Sequence, residues 1–159
     1  MGRNSLTQVD LQAVLSYDPD TGLFTNLKNN RVVGWQQSGY LKYEVFGKKY
    51  YLHRLVWLYA YGHTPDCEID HINRNRSDNR LCNLREASRH ENLWNSPVRC
   101  DSSLGLKGVE YVKKINKYRA VITLYGIKHR LGTFLTAEEA SQAYNQKAKQ
   151  FHKEFYYER

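Results

Sequence analysis

Glu68-Ile69-Asp70-His71, then Asp78-Asn79-Arg80-Leu81-Cys82-Asn83-Leu84-Arg85, then Ser88-Arg89-His90-Glu91-Asn92 form the stretch on which the reading of this chain turns. Asn83 follows His71 by twelve residues and Asn92 follows Asn83 by nine, so a carboxylate, an imidazole and two carboxamides fall within one short strand, loop, strand and helix. Consecutive strand residues point to opposite faces, so Asp70 and His71 can serve one site only if the strand ends there. The next eight residues, Ile72 to Asn79, are polar and rich in turn formers, and they predict that the chain turns away directly after His71. Ser88 to Glu91 fits the Ser-x-x-Glu box that opens a helix, with Asn92 in or near its first turn.

This set suits the hydrolysis of a phosphodiester, which needs an attacking hydroxide, relief of charge on a pentacoordinate phosphorus and help for the departing 3′ oxygen. The Asp70 carboxylate and the Asn92 amide oxygen are hard donors for one Mg²⁺ ion, which keeps several waters and takes only one or two protein ligands. His71 is the candidate general base, because an imidazole titrates near ~6.5 before its surroundings act on it. Asn83 is the candidate partner that fixes the tautomer of that imidazole. Taken singly, an Asp-His pair is an ordinary surface hydrogen bond and an Asn is a turn residue. The ordered set carries the reading.

With His53-Arg54-Leu55-Val56-Trp57 upstream, Glu68 to Asn73, Asp78-Asn79-Arg80, Asn83-Leu84-Arg85, Glu91-Asn92 and Asn95 together, the sequence resembles the HNH endonucleases, and within them the phage-type homing enzymes. The resemblance implies a ββα-metal fold in which Asp70 and Asn92 hold one divalent cation, His71 activates water and Asn83 orients the histidine. The family's last ligand position is often His. Asn92 at that position favours Mg²⁺ or Mn²⁺ over zinc. Arg74, Arg76, Arg80, Arg85 and Arg89 are the candidates for steadying backbone phosphates around the cut. His53 stands outside the Asp70-to-Asn92 unit and is expected to be a structural hydrogen-bonder.

Composition sets the wider bounds. A chain of 159 residues with 41% hydrophobic and 13% aromatic residues has enough apolar side chain for a core in one domain or two small ones. No window approaches the ~18 apolar residues of a membrane span, and Met1 to Ser5 lacks the apolar run of a secretion signal, so a cytoplasmic protein of a bacterial or phage-infected cell is expected. Cys67, Cys82 and Cys100 are odd in number and lack Cys-x-x-Cys spacing, which favours free thiols. A structural zinc site at His63, Cys67 and Cys82 is the minor alternative. The net charge of +8 points to an anionic partner. Residues 1–96 carry 12 Lys/Arg against 10 Asp/Glu, whereas residues 97–159 carry 12 against 6, so the positive field is concentrated in the last third.

The first segment is expected to be mostly β. Leu11, Val14 and Leu15 fall at helical spacing within Leu6 to Ser16, and Asp18-Pro19-Asp20-Thr21-Gly22 makes a turn. Short strands are expected at Leu23 to Asn26, Arg31 to Gly34, Tyr40 to Val45 and Lys49 to Leu52, followed by a packed helix from His53 to Tyr61 that stops at Gly62. Ser96 to Gly105 clusters Pro, Ser and Gly without periodicity and reads as a linker.

Beyond the linker, Val109 to Val112, Tyr118 to Leu124 and Ile127 to Phe134 predict three antiparallel strands, and Thr136-Ala137-Glu138-Glu139 opens a helix whose Ala140, Ala143, Tyr144, Lys147, Ala148 and Phe151 share a face. If Ala120, Ile122 and Leu124 meet that helix, the opposite face holds Arg119, Val121, Thr123, Lys128 and Arg130 with Glu110 and Val112. Lys107, Lys113, Lys114, Lys117, Arg119, Lys128 and Arg130 face only one acid, Glu110, between residues 107 and 136. Gly108-Val109, Tyr118 to Ile122, Leu131-Gly132-Thr133-Phe134, Thr136 to Ala140 and Ala143-Tyr144 make residues 107–152 resemble the plant ethylene-response-factor (Apetala-type) DNA-binding domain. The resemblance implies a sheet laid in the DNA major groove with a helix behind it. Glu110 and Val112 stand where plant members carry arginines, and Arg130 replaces a tryptophan, so the plant target sequence is not carried over.

The sequence therefore predicts an α+β protein: a β-rich segment joined to a nuclease core over 1–96 (the core itself about 53–96), a linker over 97–106, and a DNA-binding module over 107–159. The expected activity is site-directed, metal-dependent cleavage of double-stranded DNA as a phage or mobile-element homing endonuclease, with no small-molecule cofactor beyond the metal. A non-catalytic DNA-binding regulator on the same scaffold is the first rival, and an unspecific or RNA nuclease the second. A sheet fits the B-form major groove and not the narrow A-form one, which disfavours RNA. A fragment ending near Ser96 is expected to keep a folded catalytic core and to lose most specific DNA affinity.

Overall fold

Thr7 opens the first helix: its hydroxyl accepts from the Asp10 N–H while the Asp10 carboxylate accepts from the Thr7 N–H, and α1 (Gln8–Val14) follows. In the computed structural model, which describes residues 5–98, 102 and 104–156, this helix begins the first of two compact units, Met1–Ala87 and Ser88–Arg159. The architecture is α+β, as its composition of small antiparallel sheets and helices predicts.

Leu15 was expected inside the first helix, but β1 (Leu15–Asp18) begins there. The Asp18–Gly22 turn folds β1 back onto β2 (Leu23–Asn26), and ladder pairing from Leu15–Asn26 to Asp18–Leu23 overrides the weak helical preference of this stretch. The Asp18 carboxylate closes the turn by accepting from Asp20 N–H at 3.0 Å and Thr21 Oγ1 at 2.7 Å. At Gly22, φ is +73°, and a Cβ would lie 2.5 Å from Arg80 N, so only glycine lets this turn press on the backbone at Asn79 and Arg80.

β3 (Arg31–Val32) completes the first sheet, and β4 (Trp35–Gln37), β5 (Tyr40–Val45) and β6 (Lys48–Tyr51) form the second. α2 (Leu52–Tyr61) stops at Gly62 in the left-handed region, with the Gly62 N–H returning to Leu58 O at 3.0 Å. Leu11, Leu15, Phe24, Leu52, Leu55 and Val56 are the fully buried centre of this unit. Two short strands, β7 (Glu68–His71) and β8 (Leu84–Ala87), pair antiparallel with Asp70 opposite Arg85 and His71 opposite Leu84.

The second unit starts earlier than the sequence suggests. α3 (Arg89–Asn95), capped by the expected Ser88–Glu91 box, groups with the carboxy-terminal elements and not with the strands before it. The physical reason is Trp94, whose ring packs with Ile122, Leu124, Tyr144 and Ala148. Of the expected linker, residues 99–101 and 103 lie outside the described residues. β9 (Val109–Val112), β10 (Lys117–Leu124) and β11 (Ile127–Phe134) form an antiparallel sheet with β10 in the middle, followed by α4 (Ala137–His152). Ala120, Ile122 and Leu124 are buried with Ala140, Tyr144 and Ala148, so the apolar face of β10 does meet the helix. Phe151, expected on the buried face of α4, is exposed beneath the Lys147 ammonium, and His152 is buried in its place.

Candidate active site

Asp70 and His71 close β7, and both are buried, at 5% and 4% exposure. The chain turns at once: the Arg74 N–H donates to His71 O at 2.9 Å and Arg74 adopts φ +63°. Burial drives the pKa of His71 below its ordinary value, against the opposing pull of its Asn79 hydrogen bond and of the Asp70 carboxylate.

Asn79, not Asn83, holds the imidazole. Asn79 is 1% exposed, and its Oδ1 lies 3.2 Å from His71 Nε2. A carboxamide oxygen only accepts, so Nε2 carries the proton and Nδ1 is the basic nitrogen of the neutral ring. Asn83 is engaged elsewhere: its Oδ1 accepts from the Asn73 N–H at 3.0 Å and its Nδ2 donates to Asp78 O at 2.8 Å. That assignment from the sequence is corrected. Asn83 shapes the loop that carries Asn79, together with Asp78, whose carboxylate accepts from Arg80 Nε and Nη2 and from Asn73 Nδ2. The Arg80 bonds hold the Asp78 carboxyl down at about 2. Tyr17 adds a further tie by donating to Asn79 O at 2.9 Å, and burial pushes its phenol up to about 12.

Arg85, expected on phosphate, reaches Asp70 instead. Its Nε and Nη2 donate to Asp70 Oδ2 at 2.9 and 2.8 Å, because the β7–β8 register sets the two residues opposite one another. His53 packs edge to face with His71 at 5.2 Å between ring centroids and stacks on Tyr51, while Tyr40 touches both histidines. His53 is buried and packs among these rings, and its Nδ1 has no hydrogen-bond partner among the described residues, so the expected structural hydrogen bond is not made at that nitrogen. Burial lowers its pKa to about 3.

The remaining arginines divide. Arg76 lies 4.8 Å above the Tyr40 ring, Arg80 pairs with Asp78, and Arg89 is exposed at the start of α3. Asn92 lies on α3, in the second unit. In that unit Lys113, Lys114, Lys117, Thr123 and Arg130 are exposed and Arg119 is half-buried. Lys128 is exposed but paired with Glu110 at 2.8 Å. Val121, expected on the open face of the sheet, is 7% exposed, and its N–H donates to Gly108 O at the bulge between Ala120 and Val121. Cys67 and Cys82 are free thiols, and Cys100 lies outside the described residues. Among the described residues no three His, Cys, Asp or Glu side chains gather as a metal cage, and no helix is long and apolar enough to cross a membrane.

The sequence missed Asn79 as a partner because Asn73, Asn75, Asn79 and Asn83 all compete in one loop and spacing alone does not rank them. It also missed Tyr17 and Tyr40, which come from distant hairpins.

Residues 50–93 match the family model described as HNH endonuclease. An uncharacterized HNH endonuclease, L560 of Acanthamoeba polyphaga mimivirus, is 35% identical over 67% of this chain and 56% of its own length. The chain thus spans little more than half of that relative. Protein 3.8 of Escherichia phage T7 is 36% identical over 55% of this chain and 73% of the phage protein. The solved structure titled DNA binding and cleavage by the HNH homing endonuclease I-HmuI aligns at a TM-score of 0.43 and 23% identity, over 74% of this chain and 71% of that one. Residues 50–93 of this chain are thus similar to the HNH endonuclease domain.

Proposed function

We propose that this protein is a divalent-metal-dependent DNA endonuclease that cuts at chosen sites, as a phage or mobile-element homing enzyme acting in the cytoplasm of its host cell. The observation that carries the reading is the His71–Asn79 bond, which fixes the tautomer a general base requires, beside a buried carboxylate at Asp70. In the neutral ring, His71 Nδ1 takes a proton from water as the oxygen attacks phosphorus, and the bond to the 3′ oxygen breaks with the electron pair leaving on that oxygen. Removal of such a base costs ~10²–10⁴ in rate.

Asp70 and Asn92 are the residues that would hold the cation. Their carboxylate and carboxamide oxygens are hard donors, which fits Mg²⁺ or Mn²⁺. Such an ion, when bound, neutralises charge on the phosphate and on the departing oxygen. The carboxy-terminal unit is assigned to duplex binding through the exposed Lys113, Lys114, Lys117, Thr123, Lys128 and Arg130 and the half-buried Arg119. Charge supports this reading. Moving the boundary back to Ala87 leaves the division untouched, because Arg89 and Glu91 cancel, and the second unit keeps 13 Lys/Arg against 7 Asp/Glu.

Incubation of plasmid DNA with the full chain and Mg²⁺ tests the reading. Cleavage that chelator abolishes, and that Asp70→Ala and Asn92→Ala each weaken, is expected. Duplex binding without any cleavage in Mg²⁺ or Mn²⁺ would make the protein a non-catalytic regulator, and equal competition by duplex RNA would remove the assignment to DNA.

A further inference from the structure

Lys107 leads into β9, yet its charge is turned onto α3. Its ammonium group donates to three backbone carbonyls at the end of that helix, those of Leu93 at 3.3 Å, Trp94 at 2.8 Å and Ser96 at 2.7 Å. Terminal helix carbonyls have no intrahelical partners, and a cation there also complements the negative end of the helix dipole.

The position of Lys107 is itself fixed by the next residue. Gly108 has φ +70°, and a Cβ there would lie 2.1 Å from the Tyr144 ring and 2.6 Å from Val121 O, so its backbone is wedged between α4 and β10. Its carbonyl accepts the Val121 N–H at 2.8 Å. Trp94 supplies the other attachment. Its ring stacks on His152 at 4.6 Å and 9°, and meets Tyr125 edge-on at 5.6 Å. At seven residues α3 is too short to hold itself in water, so its shape comes from the sheet and α4.

We propose that Lys107 is a positioning residue for Asn92, one residue before the first of those carbonyls, so that the basic sheet unit serves assembly of the metal site as well as DNA binding. This rests on the reading of Asn92 as a cation ligand. A sheet that grips the duplex and a helix that carries a ligand then share one packed unit, and loss of the Lys107 clamp frees the ligand without touching the grip.

The test uses full-length protein with Lys107→Met, which keeps the stem and removes the donors, and Lys107→Arg, which keeps a cation. Three readouts are needed: amide hydrogen exchange over 89–96, the Mn²⁺ concentration for half-maximal cleavage, and duplex affinity measured in chelator. Lys107→Met should speed exchange at Asn92 to Ser96 and raise the Mn²⁺ requirement by about 10- to 100-fold, as loss of an outer partner of a metal ligand does. Duplex affinity in chelator should stay within about twofold, since a single charge already engaged with backbone carbonyls is lost, and Lys107→Arg should recover most of the metal response. Unchanged exchange and Mn²⁺ requirement would overturn the proposal, and so would a loss of duplex affinity that accounts for the whole effect. A wild type that cuts in chelator, with no divalent cation present, removes the ligand role of Asn92 and this proposal with it. Wild-type Mn²⁺ dependence with an indifferent Lys107→Met removes the positioning alone.

Discussion

The ring nitrogen that a histidine leaves basic is set by what its other nitrogen touches, and for His71 that partner is Asn79. His71→Ala is expected to lower single-turnover cleavage by ~10²–10⁴ with duplex affinity unchanged, because the ring acts on water and not on phosphate. Asn79→Ala should lower it by ~10–100-fold through loss of the tautomer. Asn83→Ala should act on the loop, lowering thermal stability by an amount typical of a lost buried hydrogen-bond pair, ~1–3 kcal/mol. If Asn83→Ala proves the more damaging to rate and Asn79→Ala the less, Asn79 is not the orienting group. Since burial lowers the pKa of His71, the basic form persists below the ordinary value near ~6.5, and the acid limb of the rate profile should fall on the acid side of that value. An acid limb centred above pH 7 would contradict the environment of the ring. That the strand ends at His71 and the chain turns directly after it was legible in the sequence, because the polar run that follows is rich in turn formers. Asn79 was not, because four asparagines in one loop are equivalent until the fold chooses among them.

Elements were legible wherever local chemistry and tertiary pairing agree. The Ser88 and Thr136 capping boxes, the Gly62 stop and the strands at Leu23–Asn26, Tyr40–Val45 and Val109–Val112 lie where turn and cap residues place them. β1 and β4 were not foreseen, because Leu15 to Asp18 and Trp35 to Gln37 are strands only by virtue of their partners. The same limit applies to the basic sheet: alternation put Val121 on its open face, and the contact with Gly108 buries it. Lys128 and Arg130 remain exposed on β11, so Lys128→Ala and Arg130→Ala should each flatten the log-log salt dependence of duplex binding by ~0.9 if each meets one phosphate. Glu110→Ala removes the acid paired with Lys128 and should strengthen binding at low salt. Titrations at several salt concentrations check both, and slopes identical to wild type in all three variants would leave the sheet as a solvated face.

Buried neutral histidines tie the stability of the whole chain to pH. His53 in the first unit and His152 in the second have pKa values lowered to about 3 and about 4, chiefly by burial, while in the unfolded chain both titrate at the ordinary value. Below about 6.5 the unfolded chain binds more protons than the folded one, so stability is full above that pH and falls as pH drops, by about 1.4 kcal/mol per unit for each such histidine. Thermal midpoints should therefore decline between pH 6.5 and 4.5, and a flat profile there would mean that both rings are protonated when folded. The core of the first unit, from Leu11 to Leu84, lies wholly before Ser88, so a fragment ending at Ala87 is expected to unfold cooperatively. A fragment ending at Ser96 adds α3 but removes Lys107 and His152, the groups that cap it and stack on it. The expectation from charge alone, that such a fragment keeps its catalytic core and loses only affinity, is therefore replaced. Residues 89–96 should exchange their amide protons at nearly the unfolded rate in the fragment while β7 and β8 stay protected, and cleavage should be absent even at DNA concentrations that saturate binding. Protected α3 amides together with undiminished cutting by residues 1–96 would show that the helix needs nothing beyond Ser96.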